Sequence, residues 1–157
     1  MENKFAESII RLEEGLRLKP YRCSEGCPTI GFGEKIGDKG DPLPNITTTR
    51  EEALIFLRKR ISEIIPRLIA HNTIAWNNCN RQQQAILISM AYQVGVSGLL
   101  AFKKMWKAIE MKDFKEAGKQ MLDSKWATQT RNRAVRHSNT MSSGNLDMYY
   151  VYNAGAV

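Results

Sequence analysis

Between Leu16 and Thr47 the chain loses its helical periodicity, and this interruption constrains the fold more than any other feature. The stretch carries Gly26, Gly31, Gly33, Gly37 and Gly40, and with Gly15 at its edge it accounts for six of the 11 glycines. Four of the five prolines, Pro20, Pro28, Pro42 and Pro44, fall there as well. Glycine admits positive φ and proline lacks a backbone donor, so neither suits a long helix or a central strand. The short apolar pieces between the turn residues, Leu16–Tyr21 and Thr29–Phe32, predict a small twisted β-hairpin lobe. A lobe of that size is not stable alone and must lean on something larger.

Both flanks are helical. Phe5, Ile9, Leu12 and Leu16 recur at helical spacing and predict a first helix over Asn3–Glu13, with Gly15 as its stop. Beyond the interruption, Thr49 followed by Glu52 has the spacing of a capping box. The helix it opens carries Ala53, Leu54, Leu57, Ile61, Ile64, Ile65 and Leu68 on one stripe, and Pro66 predicts a kink or an end near Ile65. Such a helix spans about 25–30 Å at roughly 1.5 Å per residue. From Asn80 onward the pattern stays helical. It predicts Gln84–Tyr92 closed by Gly95, shorter helices near Leu99–Ile109, Asp113–Leu122 and Thr130–Asn139, a turn at Ser143–Asn145, and a last short helix or tail over Leu146–Tyr152. No internal repeat interrupts this order. The expected fold class is α+β, with the 157 residues forming one domain. A small β lobe over residues 15–48 would join a larger helical lobe through a connecting helix over 49–68. The helical lobe would comprise residues 72–152 plus the helix at 3–13, with a cleft between the lobes.

Composition narrows the classes further. Residues are 43% hydrophobic but only 8% aromatic, so the core is aliphatic. No apolar run approaches the roughly 20 residues of a membrane span. The N-terminus, with acidic residues throughout, lacks the apolar block of a secretory signal, which predicts a soluble protein that starts in the cytosol. A net charge of +7 serves solubility or an anionic polymer: nucleic acid, teichoic acid, lipopolysaccharide or peptidoglycan. Arg131, Arg133 and Arg136 form a basic stripe that a nucleic-acid module would use. That reading gives the turn-rich segment no role, so no nucleic-acid partner is expected. Three cysteines, Cys23, Cys27 and Cys79, do not make a disulfide scaffold. Cys23 and Cys27 with His71 or His137 lack the paired spacing of a zinc site, so neither metal nor cofactor is expected.

The residues able to carry chemistry cluster at the start of the interruption. Glu14 lies where the first helix meets the β lobe, a place where a carboxyl can be partly desolvated as a general acid requires. Spacing alone favours an ordinary helix-end carboxylate. Glu13, about 100° round the helix, is expected to face water. A turn at Ser24-Glu25-Gly26 would fold Thr29 back toward Cys23, bringing a thiol and a hydroxyl together. The same pair also reads as a small buried cysteine beside an ordinary strand threonine. A cysteine hydrolase using Cys23 with His71 or His137 as base is a rival. Nucleophilic cysteines, however, are usually placed at helix starts, and Cys23 falls on a hairpin.

The segment RLEEGLRLKPYRCSEGCPTIGFG, Arg11–Gly33, resembles the active-site region of the T4-type phage lysozymes and lambdoid endolysins, glycoside hydrolase family 24. Members share a Glu, then after eight residues an Asp or Cys, then after five more a Thr, and Glu14, Cys23 and Thr29 meet both spacings. The flanking E-G-L-R-L-K-x-Y and T-I-G-x-G match too. Gln84–Phe102 is similar to the family's helix and turn across the cleft, with Gln93 at its cleft-lining polar position. Trp126, Gln129-Thr130 and Asn132-Arg133-Ala134-x-Arg136 match the family element in which an arginine pairs with the catalytic glutamate, a role that falls to Arg133. The likeness runs from about Phe5 to Tyr149.

This resemblance implies a muramidase that splits the β-1,4 bond between N-acetylmuramic acid and N-acetylglucosamine in peptidoglycan. Glu14 would supply the proton and Arg133 would orient it, while Thr29 would position water or steady the sugar. Gly31 and Gly33 would let the backbone lie close to substrate. Cys23 stands where the T4 type has Asp, and only its thiolate attacks carbon or stabilises positive charge well. The spacing leaves inversion and retention both open. A catalytically impaired relative that only binds the wall, and a secreted antibacterial effector, share the same pattern. Two further departures are Glu34, where many relatives have His, and a shorter Lys35–Thr47 segment that implies a smaller β lobe and a more open cleft. Glu34 implies a structural ion pair either missing or rebuilt with a basic partner. A Cys23–Cys27 bridge across the turn would block the thiol in an oxidising compartment. The family further implies a monomer waiting in the host cytoplasm until a holin opens the way to the periplasmic wall.

Overall fold

The computed structural model describes residues 1–156. Helix α1, Lys4–Glu14, begins where the Asn3 side chain accepts from the Ala6 amide at 3.0 Å, and it ends at Gly15 with φ +70°. Its buried face is Ala6, Ile9 and Ile10, with Phe5, Leu12 and Leu16 packed at the margin. Three antiparallel strands follow in sequence order: β1 Arg17–Arg22, β2 Pro28–Gly31 and β3 Glu34–Lys35. Tyr21 pairs with Thr29 and Arg17 with Gly31, and the register is irregular between these pairs, where Pro20 has no donor to offer. All four residues of β2 are buried, whereas β1 is mostly exposed. The tight turn between them is held by bonds from Cys23 N to Cys27 O and from Gly26 N to Cys23 O, at 3.0 and 2.8 Å. Thr29 is thereby folded back alongside Cys23, as the turn residues predict.

Helix α2, Arg50–His71, is the bridge between lobes. Thr49 caps it by accepting from the Glu52 amide at 3.1 Å. The reciprocal half of the box is replaced, because the Glu52 carboxylate takes the Thr48 hydroxyl instead, at 3.2 Å. Pro66 does not end the helix, which runs on to His71, so of the two outcomes expected there the termination is corrected. It is exposed, so the backbone bond it cannot make falls on the solvent face, while Ile61, Ile64, Ile65 and Leu68 bury the other face on both sides of it. The 22 residues reach about 33 Å at roughly 1.5 Å each.

The helical lobe comprises α3 Thr73–Asn78, α4 Arg81–Val94, α5 Val96–Leu100, α6 Lys103–Glu110, α7 Phe114–Leu122, α8 Lys125–Gln129, α9 Arg131–Ser143 and α10 Met148–Asn153, ending in a 3-10 turn at Ala154–Ala156. Helix α4 is central and buried nearly all round from Ala85 to Ala91, which explains why its sequence is apolar on every face. Ile9 and Ile10 of α1, Leu57 and Leu68 of α2, and Ile86, Leu87, Ile88 and Met90 of α4 are core residues, joined by Leu99, Met105 and Ile109. The β lobe adds Phe32 to this same core. The arrangement is α+β and lysozyme-like, with a small strand lobe, a long helix and a larger helical lobe, as the sequence predicts. No described helix is long and apolar enough to cross a membrane.

Candidate active site

A groove of about 920 Å³ separates the lobes. Glu14, Cys23, Thr29 and Gly33 line it from the hinge and the β lobe, and Gln93 and Trp126 line it from the helical lobe. Glu14 stands on the last residue of α1, so the helix end aims its carboxyl into the hinge. Arg133 Nη1 donates to Glu14 Oε1 at 2.8 Å, with the two side chains 8% and 20% exposed. Gly33 closes over the other oxygen: a β-carbon there would stand 2.7 Å from Glu14 Oε2. The acid is half shielded and gripped from two sides.

On the β-lobe wall of the groove, the buried Thr29 donates its hydroxyl proton to Cys27 O at 2.9 Å. Its lone pairs therefore remain free to accept. Burial acts to raise the Cys23 thiol, but the backbone of Cys27 and Glu25 and the side chains of Thr29 and Cys27 together outweigh that, and the thiol is held below its ordinary value. The adjacent Arg22 takes no part in this, bonding the carbonyls of Gly26 and Asp41 at 3.2 and 3.0 Å. Cys27 is buried, and its thiol is raised by that burial and by Cys23. All three cysteines are free, so no bridge closes the turn.

The helical wall is fixed by aromatic donors. Trp126 Nε1 donates to Gln93 Oε1 at 2.7 Å, which aims the amide at the groove. The Tyr92 hydroxyl donates to the Phe32 carbonyl and ties the two lobes together behind the site. Arg60 of α2 bonds Glu34 at 3.1 Å, so the ion pair at that position is rebuilt with a basic partner.

Several expectations are corrected here. Gly31 is not among the groove-lining residues. Its missing side chain serves packing, since a β-carbon would meet that of Ala53 in α2 at 3.3 Å. Glu13 does not face water: its side chain is 5% exposed, and Arg136 grips both oxygens, at 2.7 and 3.1 Å. The Tyr150 hydroxyl donates to it as well. Arg133 and Arg136, three residues apart on one face of α9, meet the adjacent Glu14 and Glu13. Because both guanidinium groups are paired inside the protein, Arg131, Arg133 and Arg136 present no basic stripe. Neither histidine lines the groove: His71 stacks edge-on against Trp106, and His137 is fully buried. Among the described residues no three His, Cys, Asp or Glu side chains cluster as metal ligands.

A shielded carboxyl on an arginine, opposite a polar pair in an open groove, is the layout of a hydrolase working on a polymer laid between two lobes. Known sequences agree. The profile of the family described as phage lysozyme matches residues 11–138. The pre-baseplate central spike protein Gp5 of Enterobacteria phage T4 is 31% identical over 170 residues, covering 95% of this chain but only 29% of that longer protein. Probable T4-type lysozyme 1 of Dictyostelium discoideum is 31% identical over 166 residues, covering 91% of this chain and 96% of its own length. An endolysin of Acyrthosiphon pisum secondary endosymbiont phage 1 is 28% identical over 123 residues, covering 76% and 75%. The chain belongs to the phage lysozyme family, hydrolases of peptidoglycan-type substrates.

Proposed function

We propose that the protein is a muramidase that cleaves the β-1,4 bond between N-acetylmuramic acid and N-acetylglucosamine, with Glu14 as the proton donor. The observation that carries this reading is the placement of Glu14: half shielded at the hinge, bonded to Arg133 at 2.8 Å, and lining the same groove as Cys23 and Thr29. The leaving sugar oxygen is a poor leaving group and must be protonated as positive charge develops on the ring. Glu14 supplies that proton, and Arg133, whose protons all point outward as donors, selects which carboxyl oxygen faces the substrate. Thr29, its own proton spent on Cys27 O, accepts from the attacking water and orients a lone pair toward the sugar. Cys23, held toward its thiolate, either stabilises the positive charge while water attacks, or attacks the carbon as the bond to the protonated leaving oxygen breaks; in the second case the water then displaces the sulfur, Glu14 taking its proton and the thiolate being restored. Gln93 fixes the glycan from the opposite wall. The net charge of +7 assists approach to the anionic envelope.

As an endolysin, the protein lyses the host cell from within, and a holin is the partner that lets it reach the wall. The test is a turbidity assay on bacteria stripped of their outer membrane, with analysis of the products. Wild type clears the suspension and releases reducing ends, whereas Glu14→Gln does not clear. Release of new amino groups in place of reducing ends would overturn the reading in favour of amidase chemistry.

A further inference from the structure

Behind the groove, the two arginine–glutamate pairs are joined through His137 of α9, a titratable side chain with no solvent exposure. Its partners fix which nitrogen carries the proton. Arg136 grips both oxygens of Glu13, which marks Glu13 as the carboxylate and an acceptor only. The single hydroxyl proton of Tyr150 goes to that carboxylate. Tyr150 Oη therefore meets His137 Nδ1, at 2.7 Å, only as an acceptor, so Nδ1 bears a hydrogen. On the far side, Arg133 Nη2 has only hydrogens to give, and it donates to Ser89 Oγ at 3.0 Å. The Ser89 hydroxyl is left to donate to a bare His137 Nε2 at 2.8 Å.

We propose that His137 is a positioning residue: the neutral, Nδ1-protonated link in a one-way hydrogen-bond chain running Arg133, Ser89, His137, Tyr150, Glu13, which fixes the guanidinium bonded to Glu14. The groups facing the ring from each packed element agree with a neutral imidazole. Its own helix brings Arg133 and Arg136, α4 brings the Ser89 hydroxyl, α8 the Trp126 ring at 5.9 Å, and α10 the Tyr150 hydroxyl. The carboxylates of Glu13 and Glu14 on α1 reach it only through Tyr150 and Arg133. Burial first, then Arg133 and Arg136, push the imidazole well below its ordinary value. The guanidinium is planar, so an ordered acceptor at Nη2 also sets where Nη1 points, and Nη1 is the atom on Glu14. Removing the acceptor at Nε2 frees the Ser89 hydroxyl to turn, and Arg133 Nη2 keeps only its longer bond to the Ser89 carbonyl, at 3.3 Å, as a fixed partner.

The kinetic half of this inference rests on Glu14 being the proton donor; the protonation half does not. Long-range nitrogen–proton spectra of the labelled protein between about pH 5 and 8 read the tautomer directly. The expected signal is one imidazole with hydrogen on Nδ1, none on Nε2, and no titration. Hydrogen on Nε2, or an imidazolium in that window, would overturn the proposal. His137→Leu and Ser89→Ala, each confirmed folded by near-ultraviolet dichroism, should lower kcat about tenfold or more with KM nearly unchanged. The double variant should be no slower than the slower single, because both cut one chain. Losses that multiply, or that fall wholly on KM, would overturn the positioning role. Should Glu14→Gln stay active, the functional reading fails while the spectra still decide the chain, and they do so even if His137→Leu does not fold.

Discussion

Gly33→Ala is the substitution whose consequence follows most directly from distances. Gly33 has φ +74°, and a β-carbon added there would lie 2.7 Å from Glu14 Oε2 and 3.0 Å from its carboxyl carbon. Ordinary contact is longer by about 0.5–1 Å, so the carboxyl must retreat by that much. It cannot do so freely, because Arg133 holds its other oxygen at 2.8 Å. The backbone strain of a left-handed alanine costs about 1–2 kcal/mol, which lowers the melting temperature by roughly 2–8 °C for a chain of this size. Displacing the proton donor by close to an ångström costs more, up to about a hundredfold in kcat. Gly40→Ala separates the two effects. Gly40 has φ +84° and nothing within 4 Å, so it carries the backbone strain without touching the site. Initial rates of reducing-end release from purified peptidoglycan, alongside thermal melts, give both quantities. The expected result is a similar melting shift in the two variants and a rate loss only in Gly33→Ala. A Gly33→Ala enzyme at the wild-type rate would refute the claim that the Glu14 carboxyl sits at the reacting position.

Three other perturbations have signed outcomes. Arg136→Ala leaves the buried Glu13 carboxylate without its partner, so urea unfolding should show a loss of about 3–5 kcal/mol; a loss below about 1 kcal/mol, usual for exposed pairs, would contradict the burial of that pair. Pro66→Ala restores the backbone donor missing from α2 without touching the core, and the melting temperature should rise; a fall would mean that the proline stabilises chiefly through the unfolded chain. Iodoacetamide should label Cys23 first. Because the thiolate is the reactive form and the thiol is held below its ordinary value, the rising limb of labelling should fall at lower pH than that of a free cysteine thiol measured alongside. Cys79, buried and pushed up to about 12, should stay unlabelled until the protein unfolds, and peptide mass spectra showing Cys79 modified first would refute the assignment.

Local signals in the sequence located the architecture because they coincide with the tertiary packing. The Gly- and Pro-rich interruption became the three-strand lobe, and Thr49 with the stripe from Ala53 to Leu68 became α2. Where they fail, a contact distant in sequence decides. Pro66 sits inside a helix because the stripe is buried on both sides of it, which one residue's propensity does not reveal. The chain predicted as one helix over Leu99–Ile109 is two, broken at Ala101 and Phe102, where the Trp106 indole donates to the Leu99 carbonyl at 3.0 Å. Helix α3 lacks an amphipathic stripe of its own and is ordered by Asn72, which caps it with a bond to the Ala75 amide at 3.0 Å. At the site, Glu14, Cys23, Thr29, Gln93 and Arg133 were legible from motif spacing. Glu13 was not, because α10 returns from 137 residues away to cover it with Tyr150. Ser89 and His137 carry no motif at all, and only the crossing of α4, α9 and α10 brings them together.

Whether Glu14 gives up a proton to the departing sugar is decided by changing how much that sugar needs one. Glu14→Gln keeps the shape and an oxygen for Arg133 but has no acid, so hydrolysis of peptidoglycan should fall by at least about a hundredfold. A chitooligosaccharide carrying a dinitrophenyl leaving group needs little protonation, and the same variant should cleave it at close to the wild-type rate. Equal losses on both substrates, or no loss on either, would contradict the account.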